Sequence, residues 1–248
     1  MQRHCPEFSV IDLLGFMRSS ALTSTGALCL VAAAPTFLAA NVVVGLGWHD
    51  PAFSWATNNI SDLGNVTCGV WDTTRPRYVC SPWHDAMNLA FVPTSLLLVS
   101  GLLLTRRAWG TGGTSRAARW MLLAGSAGFG LAGVAPADTH ENLHLLAALL
   151  IFACGNLGLI MAGFARTGML LSRLRPLTLV FGALGTAGSA LFIAQQGLGL
   201  GVGGMERVAG LSMPVWICVV GAFLYHTTRA GDPTPRRPAA EGDHPGFS

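Results

Sequence analysis

Ala27-Leu28-Cys29-Leu30-Val31-Ala32-Ala33-Ala34-Pro35-Thr36-Phe37-Leu38-Ala39-Ala40 lies inside an uncharged stretch from about Ala21 to Gly47. A helix needs roughly 20 mostly apolar residues to cross a bilayer core. This stretch exceeds that length, and it is longer than the roughly 7–15 residues of a signal-peptide core. It has no small-residue cleavage site followed by a polar start. It therefore reads as a first membrane span. Outward from it, five further stretches qualify: about Trp83–Leu104, Ala118–Ala135, Asn142–Phe164, Pro176–Gln195 and Val208–Thr228. Trp48, Trp83, Trp120 and Tyr225 sit near span ends, where amphipathic rings favour the membrane interface.

Composition agrees. Apolar residues are 51% of the 248 and charged residues 11%, against roughly 25% charged in soluble domains. All 15 basic residues are Arg. A net charge of +3 and a scattered Arg distribution exclude a nucleic-acid surface. Twelve of the 15 Arg fall in the N-terminal segment, the second–third and fourth–fifth connectors, and the tail. The opposite connectors hold only Arg75, Arg77 and Arg207. The positive-inside rule then puts both termini in the cytoplasm. The expected fold is an all-α membrane protein: a six-transmembrane-helix bundle, N-in and C-in, in the cell membrane. Residues 1–20 form a cytoplasmic segment, read either as a short interfacial helix around Phe8–Phe16 or as disorder. Residues 21–228 form the transmembrane domain with an outer loop at 48–82. Residues 229–248 are a Pro-rich disordered cytoplasmic tail. Small residues at Ala124, Gly128 and Ala132, and at Gly185 and Ser189, suit close helix packing.

The outer side collects the polar chemistry. Asn58-Asn59-Ile60-Ser61-Asp62-Leu63-Gly64-Asn65 is a polar island in an apolar chain. Asp62 is the leading acid or base, with Asn59 and Ser61 as substrate-facing groups. His84 and Asn88 share a helix face. They either cap an interfacial helix start or join Asp62 in a pocket. His140-Glu141-Asn142-Leu143-His144 is a literal H-E-x-x-H, which on a helix can bind zinc with the Glu as base. No third ligand is fixed by the sequence. Zinc at His140, His144 and Glu141 is thus a secondary alternative, and no cofactor is predicted. The last outer connector, Gly197-Leu198-Gly199-Leu200-Gly201-Val202-Gly203-Gly204-Met205-Glu206-Arg207, contains a formal G-x-G-x-x-G. No strand precedes it, so the dinucleotide reading fails. A flexible or re-entrant loop presenting Glu206 and Arg207 is the better reading. Cys68 and Cys80 lie in the outer loop, where an oxidising compartment favours a disulfide over a thiolate metal pair.

Several of these elements together resemble a known family. They are Asn59-Ile60-Ser61-Asp62-Leu63-Gly64, Val79-Cys80-Ser81-Pro82-Trp83-His84, Met87-Asn88, Pro136-Ala137-Asp138, His144, Phe152, Gly155-Asn156, Gly204-Met205-Glu206-Arg207 and Pro214-Val215-Trp216. The chain is similar to the bacterial and archaeal membrane family called domain of unknown function 998, over about Ala21 to Tyr225. The resemblance implies a six-span bundle and no established activity. It includes His144 and adds Asn156 to the substrate-facing set, but leaves out His140 and Glu141. The Ile60–Gly64 element also resembles one in the damage-regulated autophagy modulator membrane family, whose relatives are associated with lipid remodelling. The expected function is an enzyme acting on a lipid or isoprenoid at the outer leaflet, by hydrolysis or acid-initiated cyclisation. Asp62, His144, Glu206 and His84 are its catalytic candidates; Asn59, Ser61, Asn88, Arg207 and Asn156 contact substrate. Membrane lipids are the expected partners. The alternatives are a non-catalytic lipid-binding or scaffold protein and, ranked lower, a transporter.

Overall fold

A computed structural model of the protein describes residues 10–165 and 172–230, with side chains from residue 20 onward. Among the described residues, seven α-helices form: α1 Val10–Leu46, α2 His84–Leu104, α3 Gly113–Val134, α4 Glu141–Leu149, α5 Asn156–Phe164, α6 Arg175–Ile193 and α7 Val202–Ala230. A π-helical segment, Leu150–Gly155, joins α4 to α5, so these two run as one interrupted helix. Among the described residues, five helices are long and apolar enough to cross a membrane: Ser20–Leu46, His84–Leu104, Glu141–Phe164, Arg175–Ile193 and Val202–Ala230. The remaining long helix, α3, carries Arg116 and Arg119 and many small residues, and is less apolar.

The helices form a ring in sequence order. α1 packs on α2, α2 on α3, α3 on the α4–α5 helix, α5 on α6 and α6 on α7, and α7 closes back onto α1. Burying one stripe of each apolar helix against two neighbours leaves the opposite stripe facing outward. Leu96, Leu103, Leu145, Leu149, Leu157, Val180 and Leu184 are accordingly exposed. Such an apolar exterior matches a hydrocarbon solvent rather than water. Inside, Phe37, Phe91 and Phe129 make a three-ring cluster, with Phe37 centroids 4.8 and 5.1 Å from the other two.

Glycine sets the close approaches on α3. A Cβ at Gly125 would lie 2.9 Å from Gly155 Cα, and one at Gly128 would lie 2.9 Å from the Ala147 carbonyl. The expected Ala124–Gly128–Ala132 stripe is thus carried mainly by Gly125 and Gly128.

The segment between α1 and α2 is folded. It contains a 3-10 turn at Ser61–Gly64 and an antiparallel hairpin, β1 Gly69–Trp71 with β2 Arg77–Val79, in register Gly69↔Val79. Cys68 and Cys80 flank the hairpin and form a disulfide.

Helix starts differ from the sequence expectation. α3 begins at Gly113 rather than Ala118, and α7 begins at Val202 rather than Val208. Glu206 and Arg207 therefore lie in the first turns of a helix, not in a flexible connector. The reason is tertiary. The Gly203 N–H donates to the Ala56 carbonyl at 2.9 Å, and a Cβ at Gly203 would sit 2.2 Å from the Asn58 carbonyl. Docking on the polar loop offsets the weak helix propensity of the glycines. The expected interfacial segment overlaps the start of α1 from Val10; residues 1–9 and the tail from 231 lie outside the described residues.

Candidate functional site

The polar loop is held by a buried ion-pair clasp. Asp62 is fully buried. Its Oδ1 accepts from Arg77 Nη2 at 2.6 Å, and its Oδ2 from Arg77 Nε at 2.6 Å. Oδ2 also accepts from the Asn59 N–H at 2.9 Å and from Asn58 Nδ2 at 3.2 Å. A bidentate Arg–carboxylate pair is the strongest geometry for such a contact. Arg77 Nη1 reaches Asp72 Oδ2 at 3.1 Å. Burial opposes the charge on Arg77, but the hydrogen bond and charge of Asp62, with Asp72 behind it, raise its pKa above the usual value. Asp72 caps the hairpin turn: the Thr74 hydroxyl and N–H both donate to it, and they lower its pKa to about 2. Arg75 adds the outer strap, donating to Asn59 Oδ1 at 2.7 Å, to Gln195 Oε1 at 3.2 Å and to the Thr57 carbonyl.

Further ties fix the loop to the helix ends. Asn88 Nδ2 donates to the Gly64 carbonyl at 2.8 Å. A Cβ at Gly64 would lie 2.3 Å from Asn88 Oδ1, so a larger residue there would displace this amide. Ser81 Oγ donates to the Leu63 carbonyl at 2.7 Å and accepts from Trp48 Nε1 at 3.2 Å. Asp138 accepts from the Thr67 N–H at 2.7 Å and hydroxyl at 2.8 Å. Burial disfavours its charge, yet these bonds to Thr67 prevail and lower its pKa.

Beneath the clasp lies a small cavity of about 30 Å³, lined by Phe37, Phe91 and Phe129, by Ile60 and Ser61, and by His144, Phe152 and Glu206 among others. Among the described residues, its ionisable lining groups are His144 and Glu206. Each is anchored by one atom. His144 Nδ1 lies 2.8 Å from the Ala135 carbonyl. A carbonyl only accepts, so Nδ1 carries the proton and Nε2 is the available nitrogen. Glu206 Oε2 accepts from the Ile60 N–H at 2.6 Å. Among the described residues, neither His144 Nε2 nor Glu206 Oε1 has a hydrogen-bond partner. A buried water needs roughly 10–15 Å³ of such space, so the cavity has room for one or two.

The other sequence candidates take different places. Arg207 turns away from the cavity: its Nη1 donates to the carbonyls of Gly203 at 2.7 Å, Asn58 at 2.9 Å and Trp55 at 3.2 Å. Its guanidinium lies 5.3 Å from the Phe53 ring centroid and 5.2 Å from that of Trp55. Adjacent helical residues point about 100° apart, which separates Glu206 from Arg207. His84 sits at the start of α2, with Nδ1 3.0 Å from the Ser81 carbonyl and Nε2 3.4 Å from exposed Asp85. It does not line the cavity. Asn156 is deep in the bundle, donating to Ser189 Oγ at 3.2 Å and the Ala209 carbonyl at 3.0 Å. His140 and Glu141 are exposed. Among the described residues, no three His, Cys, Asp or Glu side chains converge as a metal site.

Sequence reasoning missed Asn58 and Arg77, the partners that saturate Asp62. The signal was present: Arg75 and Arg77 are two of the three Arg on the Arg-poor side. The hairpin was legible too, since Val70-Trp71 and Tyr78-Val79 flank the turn-forming Asp72-Thr73-Thr74-Arg75-Pro76.

Fold and site together define a polytopic helical membrane protein whose polar side chains converge at one pole of the bundle. The family model described as protein of unknown function, DUF998, matches residues 21–222. The chain belongs to that family. No curated protein and no solved structure matches it.

Proposed function

We propose that this protein is a six-span cell-membrane protein, N-in and C-in, that acts on a lipid or isoprenoid with His144 and Glu206 as its acid–base pair. The observation that carries this reading is the cavity: two half-anchored ionisable groups line one small space whose other walls are aromatic and aliphatic. Anchoring one atom of each fixes the orientation of the other, as general acid–base work requires. His144 Nε2 is suited to take a proton from a water or hydroxyl. Glu206, when protonated, is suited to deliver one to a leaving group or a double bond. The rings of Phe37, Phe91 and Phe129 suit an apolar chain and, for an isoprenoid, a developing cation. Asp62 becomes a positioning residue, because its oxygens are already taken by Arg77, Asn58 and Asn59.

The test is the lipid profile of a host lacking the gene, complemented by wild type, His144→Ala or Glu206→Gln. Wild type should restore the levels of a lipid or isoprenoid species that neither variant restores, at equal protein in the membrane. Full restoration by both variants would sink the acid–base reading. It would leave the non-catalytic lipid-binding reading, which the extensive structural bonding of the polar loop favours.

A further inference from the structure

A second feature adjoins the cavity. A groove of about 460 Å³ runs along the outer surface between the α4–α5 helix and α6, lined by Leu145, Leu149, Phe152, Leu157, Phe192 and Ile193 among others. That volume is within the roughly 300–1,000 Å³ of ligand pockets. Its walls are almost wholly apolar, and both belong to helices apolar enough to span a membrane. Phe152 and Ala148 line both the groove and the cavity. Those two side chains therefore stand between the two spaces.

The groove has a structural cause. α6 packs tightly on α5 through glycine: a Cβ at Gly182 would lie 3.0 Å from Ile160 N, and one at Gly163 would lie 2.4 Å from Leu179 Cδ2. Further toward the loop pole the contact is lost, and α6 barely meets α4. The change falls at the π segment Leu150–Gly155, which contains Phe152. Single π turns within helices frequently mark functional sites. The Phe152 ring is held from the side by Phe192, with centroids 5.7 Å apart. Behind it, Gly210 leaves room: a Cβ there would lie 3.5 Å from Phe152 Cε1, an ordinary contact.

We propose that this groove is a lateral port through which one hydrocarbon chain of a membrane lipid passes from the bilayer into the His144–Glu206 cavity, with the Phe152 side chain as its gate. The proposal rests on the lipid-directed reading and extends it to the route and to the part of the ligand that enters. A hydrocarbon chain is the fitting occupant because the groove faces the apolar exterior of the bundle, carries no charged side chain, and has only the hydroxyls of Thr186 and Ser189 as polar lining groups, the latter already bonded to Asn156 and the Gly185 carbonyl. At about 30 Å³ the cavity admits no chain while Phe152 stays in place. Swinging that ring out of the partition joins the two spaces.

The test uses the full-length protein in phosphatidylcholine vesicles in which some acyl chains carry a diazirine near the methyl end. Photolysis is followed by mapping of the labelled residues by mass spectrometry. Leu96 and Leu103, exposed on α2, report the background from surrounding lipid. In wild type, Leu149, Ala190 and Ile193 should be labelled at least about tenfold above that background, the ratio given by about 1.4 kcal/mol of preference. Phe129 and Ala132, inside the cavity, should also be labelled. Phe152→Ala should raise cavity labelling several-fold. Ala190→Trp, at an exposed position, should fill the groove and depress both signals while leaving Leu96 unchanged. Groove labelling equal to that of Leu96, or a cavity unlabelled in both wild type and Phe152→Ala, overturns the port. The readout needs no turnover, so the two ideas fail separately. Cavity labelling with a lipid profile fully restored by His144→Ala and Glu206→Gln overturns the acid–base reading alone. An unlabelled cavity with a profile that those variants fail to restore overturns the port alone.

Discussion

Replacing Arg77 by Met should release the polar loop from the bundle. Met keeps the aliphatic stem and removes the guanidinium, so the change isolates the ion pair. Asp62 has no exposure, and both its oxygens lie 2.6 Å from the guanidinium. Without Arg77, the carboxylate keeps only the Asn59 N–H and the longer bond from Asn58. Leaving a buried charge unpaired costs about 3–5 kcal/mol. The reverse deletion is milder. In Asp62→Asn, Arg77 still has Asp72, 3.1 Å away and partly solvated. The loss is then that of charge-assisted hydrogen bonds, about 1.5–3 kcal/mol. Hydrogen exchange of loop peptides covering residues 58–65, in detergent or vesicles, reads the difference. Each 1.36 kcal/mol is about tenfold in the opening equilibrium. Arg77→Met should therefore speed exchange of the Asn59 and Ile60 amides by about 100-fold or more, and Asp62→Asn by distinctly less. The amides of α2 and α7 below the loop should stay protected. Equal effects, or exchange in Arg77→Met within about twofold of wild type, would refute the clasp and restore Asp62 as a free functional carboxylate.

Cys68→Ser with Cys80→Ser removes a bridge between residues 12 apart in sequence. It should cost the loop about 2–4 kcal/mol, seen as faster proteolytic nicking within the hairpin; unchanged nicking would count against it. Gly203→Ala forces a Cβ to 2.2 Å from the Asn58 carbonyl, whereas at Gly210 the nearest atom is 3.5 Å away. The first should destabilise the loop–α7 contact by about 1–3 kcal/mol. Gly210→Ala should leave the thermal unfolding midpoint nearly unchanged. Acid should loosen the hairpin within a defined window. The Asp72 pKa is depressed to about 2, so its contribution is present above the ordinary value of 3.8 and is lost as pH falls through about 2. Asp138, also lowered, acts with the same sign. Trp71 fluorescence should therefore hold above about pH 4 and change between about pH 4 and 2; a transition above pH 5 would contradict this assignment.

The spans were legible because a bilayer imposes a length and a composition on any helix that crosses it. That constraint acts locally, so Ala21–Gly47 or Trp83–Leu104 could be read without knowing their neighbours. Helix starts were not legible in the same way. Nothing local in Gly197–Gly204 announces a helix beginning at Val202. It begins there because Gly203 rests on the carbonyls of Ala56 and Asn58, far earlier in the chain. The π segment is hidden for the same reason. Leu150–Gly155 has ordinary helical composition, and its register break becomes visible only beside α3, where Gly125 meets Gly155.

The site shows why chemical prominence in a sequence and chemical availability in a fold differ. Asp62 stands out in Asn58–Asn65 because it is charged and surrounded by amides. Those amides, with Arg77, are what make it unavailable: a carboxylate whose oxygens are both committed to a guanidinium has little capacity left for a substrate proton. Glu206 is less conspicuous, placed after a run of glycines and beside an Arg that looks like its partner. The helix turns that Arg toward Trp55 and Asn58, where it fastens the loop, and turns Glu206 toward the aromatic cavity with one oxygen uncommitted. His144 follows the same logic, with Nδ1 spent on Ala135 and Nε2 left over. The clasp and the cavity are coupled, because the Ile60 N–H that holds Glu206 lies two residues before Asp62. An Arg77→Met protein with a loosened loop should therefore also lose the orientation of Glu206. Its lipid phenotype in the complementation test should follow that of Glu206→Gln, although residue 77 does not line the cavity.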